Sequence, residues 1–336
     1  MSKKGILLVN LGSPDSTSVG DVRKYLRQFL MDPKVLDAAF PIRFFVVNCL
    51  ILPRRPAESA RAYRKIWTDR GSPLIALSRD LQAALRERID DCPIELAMRY
   101  QNPSIEDAVE KLHQQGVDDL VVLPLFPHYA MSSYESAAER VRAVAAKLAP
   151  EMRCRLIPPF FNDPGYIEAL VEVAAPFMER EFDHLLFSFH GLPERHMRIA
   201  DPTGTHCLSR EDCCSGEHPA HETCYRAQCF KTVAAFAEAT GLSEGQYSVS
   251  FQSRLGREPW LKPYSDHVIA GFPDQGVKNL LVMSPAFVSD CLETLEELGI
   301  RAKADFIAAG GEKFTLIPCL NTHPKWVDAI EDLLKK

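Results

Sequence analysis

Short apolar, β-branched runs alternate with stretches of helical period along most of this chain, and that alternation restricts the fold more than any other feature. The runs are Gly5 to Leu11, Ile94 to Met98, Leu120 to Leu125, Leu185 to Phe189, Tyr247 to Phe251 and Leu280 to Met283. Between them lie segments such as Ile105 to Gln114 and Tyr166 to Phe182, whose apolar residues recur every three or four positions. A strand that is apolar throughout must be covered on both faces, and intervening helices supply the cover. The expected class is α/β with parallel sheets.

With 336 residues, the chain exceeds one ordinary domain of about 100 to 200 residues and suits two. An internal echo agrees. Gln115-Gly116-Val117 leads into Leu120 to Leu123, and Gln275-Gly276-Val277 leads into Leu280 to Met283. Likewise Ile6 to Val9 ends in Asn10-Leu11-Gly12-Ser13-Pro14, and Leu185 to Ser188 ends in Phe189-His190-Gly191-Leu192-Pro193. One topology used twice accounts for both pairs; the competing reading is that any two βαβ units look alike. The turn signal Asn162-Asp163-Pro164-Gly165 puts the division after residue 163, giving domains 1–163 and 164–336. The last helix is a candidate for packing back on the first domain.

Composition narrows the function. Hydrophobic residues make up 46% and charged residues 25%, as in globular proteins, and no run approaches the roughly 18 apolar residues of a membrane span. The net charge of -6 carries no basic block, so nucleic acid is not an expected partner. The amino-terminal segment lacks a signal-peptide core and cleavage site, and the expected compartment is the cytoplasm.

In open α/β sheets ligands bind beyond the carboxyl ends of the strands, so the residues just after each apolar run are where chemistry is sought. His190 follows Leu185 to Phe189 directly. A histidine there can accept a proton near neutral pH, or can simply cap the loop. Ser289 to Glu297 reads as a helix start with Asp290 as N-cap and Glu293 three residues on, so that Asp290, Glu293 and Glu297 share a face. Such a row can relay protons or metal cations, and it can equally serve the helix dipole. Phe251-Gln252-Ser253-Arg254, then Arg257 and Trp260, end a strand in a polar loop, where an indole can stack on a flat ligand or fill the loop's core. Arg99-Tyr100 offers the same pair of readings.

Together, Leu186 to Pro193, Phe251 to Arg254 through Trp260-Leu261, and Pro285-Ala286-Phe287 through Asp290-Cys291-Leu292-Glu293-Thr294-Leu295 resemble the ferrochelatases. The likeness extends from Ile6 to Gly12 with Pro14, through Gly71-Ser72-Pro73-Leu74, to the C-terminal helix. The resemblance implies two Rossmann-like domains of class II chelatase type, with four-stranded parallel sheets and a porphyrin cleft. It implies insertion of Fe(II) into protoporphyrin IX or coproporphyrin III, giving heme and two protons. By the same resemblance His190 and Glu293 match the catalytic, iron-contacting pair, Asp290 and Glu297 a proton or metal relay, and Arg99, Tyr100, Trp260 and Phe287 porphyrin contacts. A peripheral membrane contact would allow a hydrophobic product to be handed on. The alternatives are a cobalt chelatase of the same fold, or a tetrapyrrole-binding or redox-sensing protein without turnover. Two departures stand out. Cys291 occupies the place of a histidine found in the animal enzymes, and Met131 stands where those enzymes have a first-domain cluster cysteine, with no C-terminal cysteine trio up to Lys336.

Five of the ten cysteines, Cys207, Cys213, Cys214, Cys224 and Cys229, crowd into one segment that resembles an insertion over residues 205–230. Four thiolates suit a [2Fe-2S] cluster or a structural Zn(II), with His206, His218 and His221 close by. Adjacent residues rarely both reach one compact cluster, so one of Cys213 and Cys214 is expected to be idle.

Overall fold

A computed structural model of the chain describes residues 2–254, 256 and 258–336. Arg257, named above with the Trp260 loop, lies outside the described residues. The chain forms two compact units. Met1–Phe126, Met131–Pro158 and Ile330–Lys336 make the first, and Pro127–Ala130 with Pro159–Ala329 make the second. The division falls at Pro158, not after Asp163, because the turn read as a linker already belongs to the second unit. Asp163 caps the helix Pro164–Met178 by accepting the Gly165 N–H at 3.0 Å, and the Tyr166 hydroxyl donates to the Pro285 carbonyl at 2.6 Å.

In the first unit β1 (Lys4–Gly12), β2 (Ile94–Tyr100), β3 (Asp119–Pro124) and β4 (Arg153–Leu156) pair in parallel in the order β2-β1-β3-β4. The second repeats the plan with β5 (His184–His190), β6 (Tyr247–Gln252), β7 (Asn279–Met283) and β8 (Lys313–Leu316) in the order β6-β5-β7-β8. The central strands are buried on both sides because their residues are apolar on both sides. Helix caps are local and polar. Ser18 and Ser104 each accept the N–H three residues on, from Asp21 and Asp107. The helix Ile105–Gln114 falls where its periodicity put it, whereas the helix expected over Tyr166 to Phe182 spans Pro164–Met178.

From the third strand onward the repeat keeps a constant offset of 160 residues. β3 and β7 begin at Asp119 and Asn279, β4 and β8 at Arg153 and Lys313, and the closing helices at Pro164 and Pro324. In both halves a π-helix follows the third strand, Met131–Glu135 in one and Glu293–Ala302 in the other. In both, the second strand accepts a returning loop, Met98 N–H donating to the Pro103 carbonyl at 2.7 Å and Phe251 N–H to Pro263 at 2.8 Å.

The helix expected to start at Asp290 is a different object. Its regular turns begin at Glu293 and are π-helical, and Asp290 accepts from the Thr294 hydroxyl at 3.0 Å and from Asn321 Nδ2 at 2.8 Å. Asp290 lies outside the helix, ahead of its N-cap Leu292, so the shared helical face argued for Asp290 and Glu293 does not apply.

Candidate active site

In the second unit β5 delivers His190 at its last residue, half-buried. The His190 Nδ1 lies 2.6 Å from the Gly191 carbonyl oxygen. A carbonyl only accepts, so Nδ1 carries the hydrogen and, in the neutral ring, Nε2 keeps a lone pair. The Phe287 ring meets the imidazole edge-on with centroids 6.3 Å apart. Gly191 is glycine for want of room. A Cβ there would meet the Gln252 carbonyl oxygen at 2.7 Å and the Trp260 ring at 3.4 Å. Trp260 is thus packed beside the residue next to His190, and Leu261 N–H donates to the Leu192 carbonyl at 2.9 Å to fix that approach.

Gln252 stands opposite His190 in the β5–β6 register, and its Nε2 donates to the Glu293 main-chain carbonyl at 3.0 Å. The segments that carry the two residues expected to react are therefore joined through one residue, Gln252. The Glu293 side chain is half-buried, and the neighbouring Cys291 thiol hydrogen-bonds to it. Burial, with Glu293 alongside, pushes that thiol well above its ordinary range, so it remains an S–H donor.

The other members of the acidic row are already engaged. Asp290 is buried, held by Thr294 and Asn321, and Glu297 accepts the Ser253 N–H at 3.0 Å and the Ser253 hydroxyl, with Arg301 3.9 Å away. Arg254 turns to Asp266 at 3.0 Å and lies 4.3 Å from the centroid of the Tyr264 ring.

In the first unit Arg99 ends β2, and one carboxylate gathers its surroundings. Asp32 Oδ2 accepts from Arg99 Nη2 at 2.5 Å, from the Tyr100 hydroxyl at 2.8 Å and from the Ser136 hydroxyl at 2.5 Å. Tyr100 is fully buried, so the ring expected to face a flat ligand is packed inside the unit, and burial raises its hydroxyl pKa strongly. Arg99 remains at the wall of a cavity of about 500 Å³, also lined by Lys24, Arg27, Gln28, Met31 and Gln101. Asp32 was invisible in the sequence, because a buried carboxylate declares itself only through partners 67 and 104 residues away.

The cysteine segment lies in the second unit. The Cys213 and Cys214 sulfurs are 3.9 Å apart, and the Cys224 thiol hydrogen-bonds with those of Cys214 and Cys207. Leu208 N–H donates to Cys213 Sγ at 3.3 Å, and Arg226 approaches Cys214 Sγ to 3.4 Å. Cys224 begins the helix Tyr225–Thr240. The Cys214 thiol hydrogen bond, ahead of the Ala227 N–H, lowers its pKa to about 6. Cys229 is set apart, fully buried one helical turn on against Tyr225. Asp201 anchors the segment's entry by accepting the N–H groups of Thr203, His206 and Cys207. His206 and His221 both point Nε2 at the Cys213 carbonyl, at 2.6 and 2.9 Å. Among the described residues no three His, Cys, Asp or Glu side chains are arranged to hold a single metal ion.

The chain resembles known proteins along its whole length. The family model described as Ferrochelatase matches residues 3–336. The ferrochelatase of Ectopseudomonas mendocina (strain ymp) is 51% identical over 100% of this chain and 98% of its own. That of Azotobacter vinelandii is 51% identical over 100% and 99%. Among solved structures, the sirohydrochlorin chelatase SirB from Bacillus subtilis subspecies spizizenii in complex with cobalt has a TM-score of 0.57 at 12% identity, covering 99% of this chain and 94% of that one. SirB from Bacillus subtilis with Fe3+ gives 0.57 at 13% identity over the same shares.

Proposed function

On the premise that the chain belongs to the ferrochelatase family and inserts ferrous iron into a porphyrin in heme synthesis, we propose that His190 is the proton acceptor and Glu293 the carboxylate that meets the iron. Metallation breaks two pyrrole N–H bonds, forms four Fe–N bonds and releases two protons. The observation that carries the reading is the His190 hydrogen bond to the Gly191 carbonyl, which leaves Nε2 as the free base. Glu293 is a hard oxygen donor for Fe(II) as its water ligands are exchanged, and Cys291 holds it by donation. Phe287 and Trp260 supply apolar walls beside His190 for a porphyrin, whether protoporphyrin IX or coproporphyrin III. Anaerobic iron insertion tests this. His190→Ala should lose activity by about 10²- to 10⁴-fold, the usual contribution of a general base, and an unchanged rate would overturn the assignment.

The cysteine segment is read as the site of a [2Fe-2S] cluster, in preference to structural Zn(II). A zinc ion needs four ligands around one point, whereas a dinuclear cluster takes two thiolates on each iron. The Cys213 and Cys214 sulfurs lie 3.9 Å apart, and four thiolates in one segment suit two on each iron. Cys207, Cys213, Cys214 and Cys224 would hold it, with Cys229 outside the set. Both adjacent cysteines then serve, contrary to the expectation that one is idle. Bound there, a cluster supplies a redox-responsive staple for a loop with little core. The visible spectrum and iron and sulfide content of anaerobically purified protein decide the matter, since a colourless zinc protein would sink it.

We assign the reaction to the cytoplasm, at a membrane surface. Among the described residues no helix is long and apolar enough to cross a membrane. Phe40, Ile42, Phe45 and Leu50 are nonetheless 56–62% exposed, ahead of Arg54 and Arg55. Apolar side chains beside basic ones suit an anionic lipid surface. Co-sedimentation with anionic vesicles should fall in Phe40→Asp/Phe45→Asp; equal sedimentation would remove the proposal.

A further inference from the structure

Resting on the assignment of His190 and Glu293 above, we propose that Gln252 and Ser253 are positioning residues. They tie the strand that bears His190 to the π-helix that bears Glu293. Gln252 is buried and spends both ends of its amide. Its Oε1 accepts from the Ser188 hydroxyl at 2.7 Å, two residues before His190, and its Nε2 donates to the Glu293 carbonyl at 3.0 Å. The orientation of the amide is fixed, because the Glu293 carbonyl can only accept. Its main chain joins in, the Gln252 carbonyl accepting the Gly191 N–H at 2.7 Å.

Ser188 is itself held. Its hydroxyl contacts Ser265 at 2.8 Å, which contacts Ser250 at 2.8 Å, and the Ser284 hydroxyl donates to the Ser188 carbonyl at 2.8 Å. The next residue along β6 adds a second tie. Ser253 has φ +66°, a left-handed conformation that non-glycine residues rarely adopt. That turn accompanies the donation of its N–H and hydroxyl to the two Glu297 oxygens. Strain offset by two hydrogen bonds to a carboxylate marks a position that the surroundings over-determine.

A π-helix needs such support. It is rare, and relaxation toward α-geometry would rotate Glu293 relative to its neighbours. In this arrangement Glu297 anchors the turn.

Steady-state iron insertion by the full-length protein tests the proposal, each variant being compared with wild type at the same pH. Gln252→Met should lower kcat about 10- to 100-fold, the effect of misplacing a reacting group by an ångström, with porphyrin KM within about twofold. Gln252→Glu should be impaired at pH 8 and recover toward wild type as the pH falls, because the protonated carboxyl again donates to the Glu293 carbonyl. A merely structural role would lower the folded fraction and leave kcat per folded enzyme unchanged. Wild-type kcat in Gln252→Met, or an impaired Gln252→Glu with no recovery at low pH, would overturn it. Should Gln252→Met fail to fold, Ser253→Ala, which keeps the N–H on Glu297, is judged by the same kcat-against-KM split. If wild type metallates porphyrin and His190→Ala does not while these variants behave as wild type, only the tie fails. If wild type does not metallate, the underlying assignment fails.

Discussion

A methyl group on Gly191 would lie 2.7 Å from the carbonyl oxygen of Gln252. Backbone cannot yield there without moving His190 or β6, because Gly191 N–H also donates to that same oxygen. Gly191→Ala is expected to cost about 1–3 kcal/mol of stability, as overpacking does, and to lower iron insertion further than that loss explains. Thermal denaturation alongside the activity of the folded fraction checks both effects.

His128 makes the second unit acid-labile. Its ring is buried among Phe161, Phe189 and Tyr225, with Nε2 on the Thr232 hydroxyl at 2.8 Å and Nδ1 without a partner. Burial lowers its pKa from 6.5 to about 3. A base whose folded pKa lies below its unfolded value stabilises the fold above pH 6.5 and loses that contribution as the pH falls toward 3. The expected loss approaches roughly 1.4 kcal/mol per pH unit across that window. Urea midpoints at pH 4.5 and 7 should differ less in His128→Gln than in wild type; an unchanged difference would refute the account.

Asp32 should matter to stability more than its absence from any motif suggests. Removing it strips a buried carboxylate from Arg99, Tyr100 and Ser136 together. Asp32→Ala is expected to lose about 3–5 kcal/mol, as a broken buried pair does. Arg99→Ala added to it should cost little more, since the two act as a unit. Denaturant midpoints of the two singles and the double measure the coupling, and simple additivity would contradict it.

Six of the eight strands were legible from their apolar and β-branched runs, which in β1, β3, β5 and β7 are nearly unbroken because those central strands are covered on both faces. The two missed, Arg153-Cys154-Arg155-Leu156 and Lys313-Phe314-Thr315-Leu316, are sheet edges with part-exposed, polar-interrupted sequences. His190 was legible for a related reason, since the end of an apolar strand is a place that sequence can find. The π-turn was not, because the acidic residues that open it are those that favour an α-helix start. Gln252 appeared only as a letter in a motif, since its partners are a hydroxyl 64 residues before it and a carbonyl 41 residues after it.

The seven residues Ile330–Lys336 that complete the first unit also set a timetable for synthesis. The Leu334 carbonyl accepts from Lys4 and Arg155, Glu331 pairs with Arg88, and Ile330, Leu333 and Leu334 are buried. A ribosome adding about 5–20 residues per second needs roughly 10–30 s to travel from Pro158 to this segment. Throughout that interval the nascent first half carries an uncovered apolar face, so it is then that the chain has most to gain from a chaperone.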